Sequence, residues 1–383
     1  MIAALREHPL SRLARALARP IDPALALVLV LLMAYAVVVM ASASPERLGS
    51  QLLHISLALA GVWIVAFIPA QRLLSLAPVL YVAGVALLVM VMLFGVSAKG
   101  GQRWLDIGVT RIQPSELMKI AMPMMLAWFF QKREGHIGWR EFFAAILLLA
   151  VPVGMIARQP DMGTSVLVAA AGIYVCFFAG LSWKLIVPAI MTGIVGIAIF
   201  VAFGDSMCQP DVSWRPIMRD YQKQRVCTLR DPYLDPLGDG FHTIQSTIAI
   251  GSGGLTGKGW MQGTQTHLDF LPEHHTDFIF AVLSEEFGFA GALALLVLYA
   301  VLLLRGFYIA AMATTLGTRL LAGAMTMIFF TYVFVNVGMV SGILPVVGVP
   351  LPFVSYGGTA LVTLSLGVGI LMSIHNSRRA ERE

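Results

Sequence analysis

Residues 320–374 read LLAGAMTMIFFTYVFVNVGMVSGILPVVGVPLPFVSYGGTALVTLSLGVGILMSI, without a single Asp, Glu, Lys or Arg. A membrane helix needs about 20 mostly apolar residues, so this stretch holds enough for two. Gly342, Pro345, Gly348, Pro350 and Pro352 interrupt its middle. Proline removes a helical hydrogen bond and clashes with the preceding turn. The stretch predicts helix, apolar connector, helix, with spans near 320–342 and 353–374.

Working outward, apolar segments recur at 21–42, 52–70, 73–96, 115–130, 142–157, 162–181, 185–204 and 278–304. The predicted fold is all-α and polytopic: ten transmembrane helices in one membrane domain over 1–383. The 383-residue chain is 58% hydrophobic and 12% charged, with mean hydropathy +0.81, whereas a soluble domain is about 25% charged. That balance excludes a water-soluble enzyme, a disordered chain and a basic-patch nucleic-acid binder. The first apolar run is too long for a cleaved signal peptide, and Ser44-Pro45 is a poor cleavage site.

Cytoplasmic loops carry an excess of Lys and Arg. One side holds Arg6, Arg12, Arg15, Arg19, Arg72, Lys132, Arg133, Arg140, Lys184, Arg305, Arg319, Arg378, Arg379 and Arg382; the short loops opposite hold Arg47, Lys99, Arg103, Arg111 and Arg158. Both termini are therefore expected in the cytoplasm, and 204–277 becomes a large extracytoplasmic loop between spans seven and eight. The net charge of +5 follows from this asymmetry and calls for no nucleic-acid partner.

Ionisable residues at membrane depth are expensive and are functional candidates by default. Gly101-Gln102-Arg103-Trp104 precedes Gln113-Pro114-Ser115-Glu116, with Lys119 three residues on. Glu116 and Lys119 share a helix face and can pair. They are either a capped helix end or part of a cationic pocket (Arg103, Arg111, Lys119) for a lipid phosphate, with Trp104 against a sugar or acyl chain. Asp277 opens span eight, as a helix cap or as a catalytic carboxylate. Glu285 and Glu286 lie about 12–14 Å deeper on a continuous helix, where interhelical hydrogen bonding is expected. Asn336 and the aromatic connector, with Phe353 and Tyr356, either pack helices through small residues or line a groove for a lipid tail. His274, His275 and Asp277 match no zinc pattern, so no metal site is assigned. Gly251–Gly259 imitates a phosphate loop, but Ser252 stands where its first glycine belongs and Gly259 where a magnesium-binding hydroxyl belongs.

Together these motifs resemble the SEDS family of cell-wall polymerases. They are Gly-Gln-Arg-Trp at 101–104, Gln-Pro-Ser-Glu at 113–116 with Lys119, Ile-Ala-Ile-Gly-Ser-Gly-Gly at 248–254 with Lys258, His-Thr-Asp-Phe at 275–278 with Glu285-Glu286, and Pro-Phe-Val-Ser-Tyr-Gly-Gly at 352–358. Gly263-Thr264-Gln265 and Val340–Gly348 resemble the elongation branch rather than the division branch. The resemblance implies a peptidoglycan glycosyltransferase in the cell inner membrane. Such an enzyme polymerises lipid II into β-1,4 glycan strands at the outer leaflet during elongation and so maintains rod shape. Its implied partners are lipid II, the undecaprenyl-pyrophosphate-linked glycan, a class B penicillin-binding transpeptidase and other elongation-complex proteins. In this reading Asp277 is the general base, Arg103, Lys119 and Lys258 contact pyrophosphate, and Glu116 orients Lys119. A divalent cation (Mg²⁺ or Mn²⁺) bridging pyrophosphate oxygens is compatible with it.

A lipid II flippase and a non-catalytic scaffold are the competing classes. A flippase calls for ionisable residues along both halves of its path, whereas here they crowd the outer half. In an oxidising compartment Cys208 and Cys227 are expected to bridge, closing a loop worth about 3 kcal/mol in the chain-entropy view, with Cys176 left free.

Overall fold

The structure is a computed structural model. It describes residues 20–380 apart from 99–100, 107, 109–110, 160, 210, 215–219, 237, 269 and 272. Of the basic residues in the charge reading, Arg6, Arg12, Arg15, Arg19, Lys99 and Arg382 lie outside the described residues, as do the side chains of Arg111 and Arg379.

Among the described residues, helices of ten or more residues are α1 Pro23–Ala43, α2 Leu48–Phe67, α3 Ala77–Phe94, α4 Pro114–Gln131, α5 Trp139–Arg158, α6 Met162–Phe178, α7 Trp183–Met207, α8 Asp220–Arg230, α9 Asp239–Ser252, α10 Ile279–Ala311, α11 Leu316–Val340 and α12 Gly358–Ala380. Each apolar segment of the sequence falls on one of them. Eight are long and apolar enough to cross a membrane; α6 is shorter, and α4 carries Glu116 and Lys119. The last helix starts at Gly358, later than the expected 353, because 341–357 runs as non-helical connector.

Side-chain caps start several helices. Asp22 accepts from the Leu25 amide at 2.9 Å, and Asp161 from the Thr164 amide at 3.2 Å, which satisfies N–H groups that have no partner inside the helix. Helices α4 and α11 sit at the centre: α11 packs on α10, α6 and α4, while α12 packs on α2. In α7 the only buried residue is Gly204, with Leu185, Ile194, Ile197, Val201 and Phe203 exposed. A helix apolar on every side and bare of protein suits hydrocarbon, not water.

Two irregular features shape one end of the bundle. Strands β1 Val96–Ala98, β2 Gly101–Asp106 and β3 Arg111–Ile112 form a small antiparallel sheet ahead of α4. Helix α10 is broken at Gly288, whose φ of 66° and ψ of −164° only glycine adopts without cost. The glycine-rich segment after α9 fills that break: the amides of Lys258 and Gly259 donate to the carbonyls of Glu285 and Glu286, both at 3.0 Å, and Phe289 and Ala290 donate back to Gly254 and Leu255 at 2.9 and 3.0 Å. Irregular backbone among membrane helices is tolerated only where such partners exist. Between α7 and α10, α8 is tied to the end of α7 by a disulfide between Cys208 and Cys227, with Cα atoms 5.6 Å apart. Cys176 is free and buried.

Candidate functional site

Residues 273–278 form a tight turn leading into α10. Glu273 takes a left-handed φ of 53°, and the Thr276 amide and hydroxyl return to the Glu273 carbonyl and carboxylate at 3.0 Å each. Helix α11, the 341–357 connector and the α1–α2 corner hold this turn. Asn336 of α11, fully buried, donates its amide to the carbonyls of Asp277 and Val349 at 2.8 and 2.7 Å. The Ser355 hydroxyl donates to the Thr276 carbonyl at 2.6 Å and accepts from the Leu351 amide at 2.8 Å. The Tyr356 amide donates to the His275 carbonyl at 2.9 Å.

The α1–α2 corner supports the same turn. Arg47 hydrogen-bonds His275 and lies over the Tyr356 ring at 5.6 Å. Ser44 reaches His274 Nε2 at 3.2 Å while His274 Nδ1 donates to the Leu271 carbonyl at 2.9 Å. The Asp277 carboxylate borders the connector: a Cβ added to Gly348, at φ 73°, would stand 3.3 Å from Asp277 Oδ2. Only glycine combines that conformation with that approach.

The other predicted cluster lies at the start of α4. Lys119 Nζ and Glu116 Oε1 are 2.6 Å apart, both nearly buried, and Lys119 faces the Tyr332 ring at 5.1 Å. Tyr332 and Asn336 are four residues apart on α11, about 6 Å along its axis. The Lys119–Glu116 pair therefore sits one helical turn from the Asp277 clasp. Arg103 Nη1 lies 3.9 Å from Asp161 Oδ1, and Gln113 donates to Asp161 Oδ2 at 2.8 Å. Asp161 thus caps α6, anchors Gln113 and pairs with Arg103. Trp104 is half-buried on β2.

Two expectations need correction. Lys258 does not stand open for an anion: its ammonium pairs with buried Glu285 at 2.6 Å and reaches Thr264 Oγ1 at 2.7 Å. Glu285 also accepts from the amides of Thr264 and Gln265 at 2.9 and 3.1 Å, so Lys258 first of all neutralises a charge that burial makes costly. Phe353 is not at a groove; it is 1% exposed and packs on Phe329 with ring centroids 5.6 Å apart. A groove of about 400 Å³ lies instead between α2, α4 and α12, with Glu116, Gln113, His54, Leu57 and Val362 among its walls, and Tyr356 only touches His54 beside it, at 5.8 Å. Glu285 and Glu286 lie eight and nine residues beyond Asp277, as expected, on a helix that stays regular from Ile279 until Gly288 breaks it. Their bonds cross between elements as expected, Glu286 to Ser42 of α1 and Glu285 to the glycine-rich segment.

Among the described residues, no group of three His, Cys, Asp or Glu side chains converges on one point. A divalent cation held by one carboxylate and substrate phosphates needs no such group.

Arg47, Asp161 and Tyr332 were not picked out from the sequence. Asp161 carried a signal, an Asp three residues ahead of Thr164 at the head of an apolar run. Arg47 and Tyr332 join the site only through tertiary packing.

Comparison with known proteins gives a consistent assignment. The FtsW/RodA/SpoVE cell cycle protein profile matches residues 22–380. The chain is 49% identical over 362 residues to "Peptidoglycan glycosyltransferase MrdB" of Escherichia coli K12, covering 94% of each. A solved structure described as "Structural coordination of polymerization and crosslinking by a peptidoglycan synthase complex" superposes with TM-score 0.76 at 33% identity, over 93% of this chain and 98% of that one. The Thermus thermophilus rod shape determining protein RodA superposes with TM-score 0.68 at 28% identity, over 93% and 97%. The chain belongs to the FtsW/RodA/SpoVE family.

Proposed function

We propose that this protein is a peptidoglycan glycosyltransferase of the elongation type. It polymerises lipid II at the outer leaflet of the inner membrane, with ten spans, cytoplasmic termini and the 204–277 loop outside. The observation that carries this reading is the Asp277 turn, a carboxylate at the head of an apolar helix fixed from α1, α11 and the connector.

In this reading Asp277 takes the proton from the acceptor hydroxyl as that oxygen attacks C1 of the donor sugar. The C1–O bond to pyrophosphate breaks, with inversion, and polyprenyl pyrophosphate departs. A general base must sit within about 2.6–3.2 Å of the proton it takes, directly or through one water. The turn's many backbone anchors fix the carboxylate for that purpose before substrate arrives. Arg103 and Lys119 contribute positive charge for a pyrophosphate one turn away, Glu116 orients Lys119, and Trp104 contacts sugar or lipid. The groove between α2, α4 and α12 takes a polyprenyl tail. If Mg²⁺ or Mn²⁺ takes part, it offsets pyrophosphate charge, with Asp277 the carboxylate best situated to share it. A class B transpeptidase is the partner that uses the glycan product; the association of polymerisation and crosslinking in the related synthase complex supports that pairing.

A flippase remains the second reading, supported by the lipid-sized groove alone. Purified protein given lipid II in detergent distinguishes the two: glycan polymer forms without any membrane or gradient if the enzyme reading holds, and none forms if it fails.

A further inference from the structure

Beside the Asp277 turn lies a cavity of about 80 Å³, walled by Arg225 and Thr228 of α8, His242 and Thr243 of α9, and Pro345 and Val346 of the connector. One water occupies about 10–15 Å³ of such space, so a tetrahedral anion of several heavy atoms has room. The polar part of the wall is a guanidinium, an imidazole and two hydroxyls, with no carboxylate. Among the described residues no carboxylate pairs with Arg225, whose side chain is exposed, so its charge is available to a ligand. His242 and Thr243 stand near the start of α9, where the helix dipole favours negative charge.

The cavity's position relates it to the chemistry. The His242 ring stacks on Phe278, with centroids 5.6 Å apart and planes 13° apart, and Phe278 directly follows Asp277. On the other wall, Val346 is two residues from Gly348, which abuts the Asp277 carboxylate. Lys119, by contrast, is buried and committed to Glu116.

We propose that this cavity binds one phosphoryl group of the departing polyprenyl pyrophosphate, so that Arg225, in addition to Arg103 and Lys119, meets the charge developing on the leaving group. The assignment rests on the polymerase reading above. When the acceptor hydroxyl attacks C1, the C1–O electron pair goes to the pyrophosphate oxygen and the hydroxyl proton to Asp277. Base and leaving group flank the same carbon, so the anion site belongs within a sugar's width of the carboxylate. A guanidinium and hydroxyl donors gathered there are stronger partners for the transition state than water is.

Binding and turnover test this separately, using the full-length protein in detergent. Undecaprenyl pyrophosphate, undecaprenyl phosphate and inorganic pyrophosphate are titrated by calorimetry into the unsubstituted protein and into Arg225→Gln, Arg225→Lys and Thr243→Val. Loss of a charge-assisted contact is expected to weaken undecaprenyl pyrophosphate about tenfold or more in Arg225→Gln, with Arg225→Lys in between and a smaller loss in Thr243→Val. The same titration into Asp277→Asn should show binding retained, which tests the cavity whether or not polymer forms. Undiminished undecaprenyl pyrophosphate binding by well-folded Arg225→Gln overturns the proposal. So does a loss confined to inorganic pyrophosphate, which would mark the cavity as a free-anion site. Failure of the unsubstituted protein to make polymer overturns the polymerase reading instead, and leaves the Arg225 titration to decide the cavity.

Discussion

The side-chain amide of Asn336 is bonded to the backbone carbonyl of Asp277 at 2.8 Å, and through its second N–H to that of Val349 at 2.7 Å. One buried side chain thereby clamps the turn that carries the candidate base to the Pro-broken connector. Asparagine's primary amide supplies two such donors in one plane; leucine of similar size supplies none.

Asn336→Leu should therefore strand two buried carbonyls and destabilise the protein by about 2–4 kcal/mol. Polymerisation should fall further than the folded fraction does, because the Asp277 turn loosens. Thermal unfolding in detergent beside specific activity checks both. Equal stability and equal activity would show that the clamp is incidental.

Lys258 and Glu285 form the second test. Removing the ammonium leaves a buried carboxylate uncompensated, a loss of about 3–5 kcal/mol. Lys258→Met should give little folded protein, and Lys258→Met with Glu285→Gln should recover a large part of the yield. A Lys258→Met protein that melts like the parent but binds lipid II weakly would return Lys258 to the substrate site.

Much of this was legible in the chain itself. Apolar run length marks the helices because lipid, like a protein core, demands it at every position. The Glu116–Lys119 pair follows from a spacing of three on one helix, and Asp277 stands out as a carboxylate immediately ahead of an apolar helix. The Gly288 break was not legible: it lies within an unbroken apolar pattern, and only the segment from Gly254 to Gly259 lodged in the gap explains the pairing of Glu285 with Lys258. Phe353 misled for a related reason, since an aromatic in a proline-rich connector reads alike whether it faces lipid or, as here, Phe329. Arg225 and His242 meet across two helices of a polar loop with no fixed period, so sequence spacing held no trace of their cavity.

The disulfide between Cys208 and Cys227 ties α8 to the end of α7. Cys208→Ser should lower stability by about 3 kcal/mol in the chain-entropy view, and the parent should lose a like amount under reductant. Identical melting of parent and variant in oxidising buffer would show that the bridge contributes nothing.

The central claim is that Asp277 is the base. Asp277→Asn keeps the side chain's size and hydrogen-bonding shape and removes its basicity. The decisive measurement is the initial rate of glycan polymer formation from lipid II by purified Asp277→Asn, beside a melting curve that shows it folded. A fall of about two or more orders of magnitude with an unchanged melting temperature is expected. Near-parental polymer synthesis by the folded variant would contradict the account and reduce Asp277 to a helix cap.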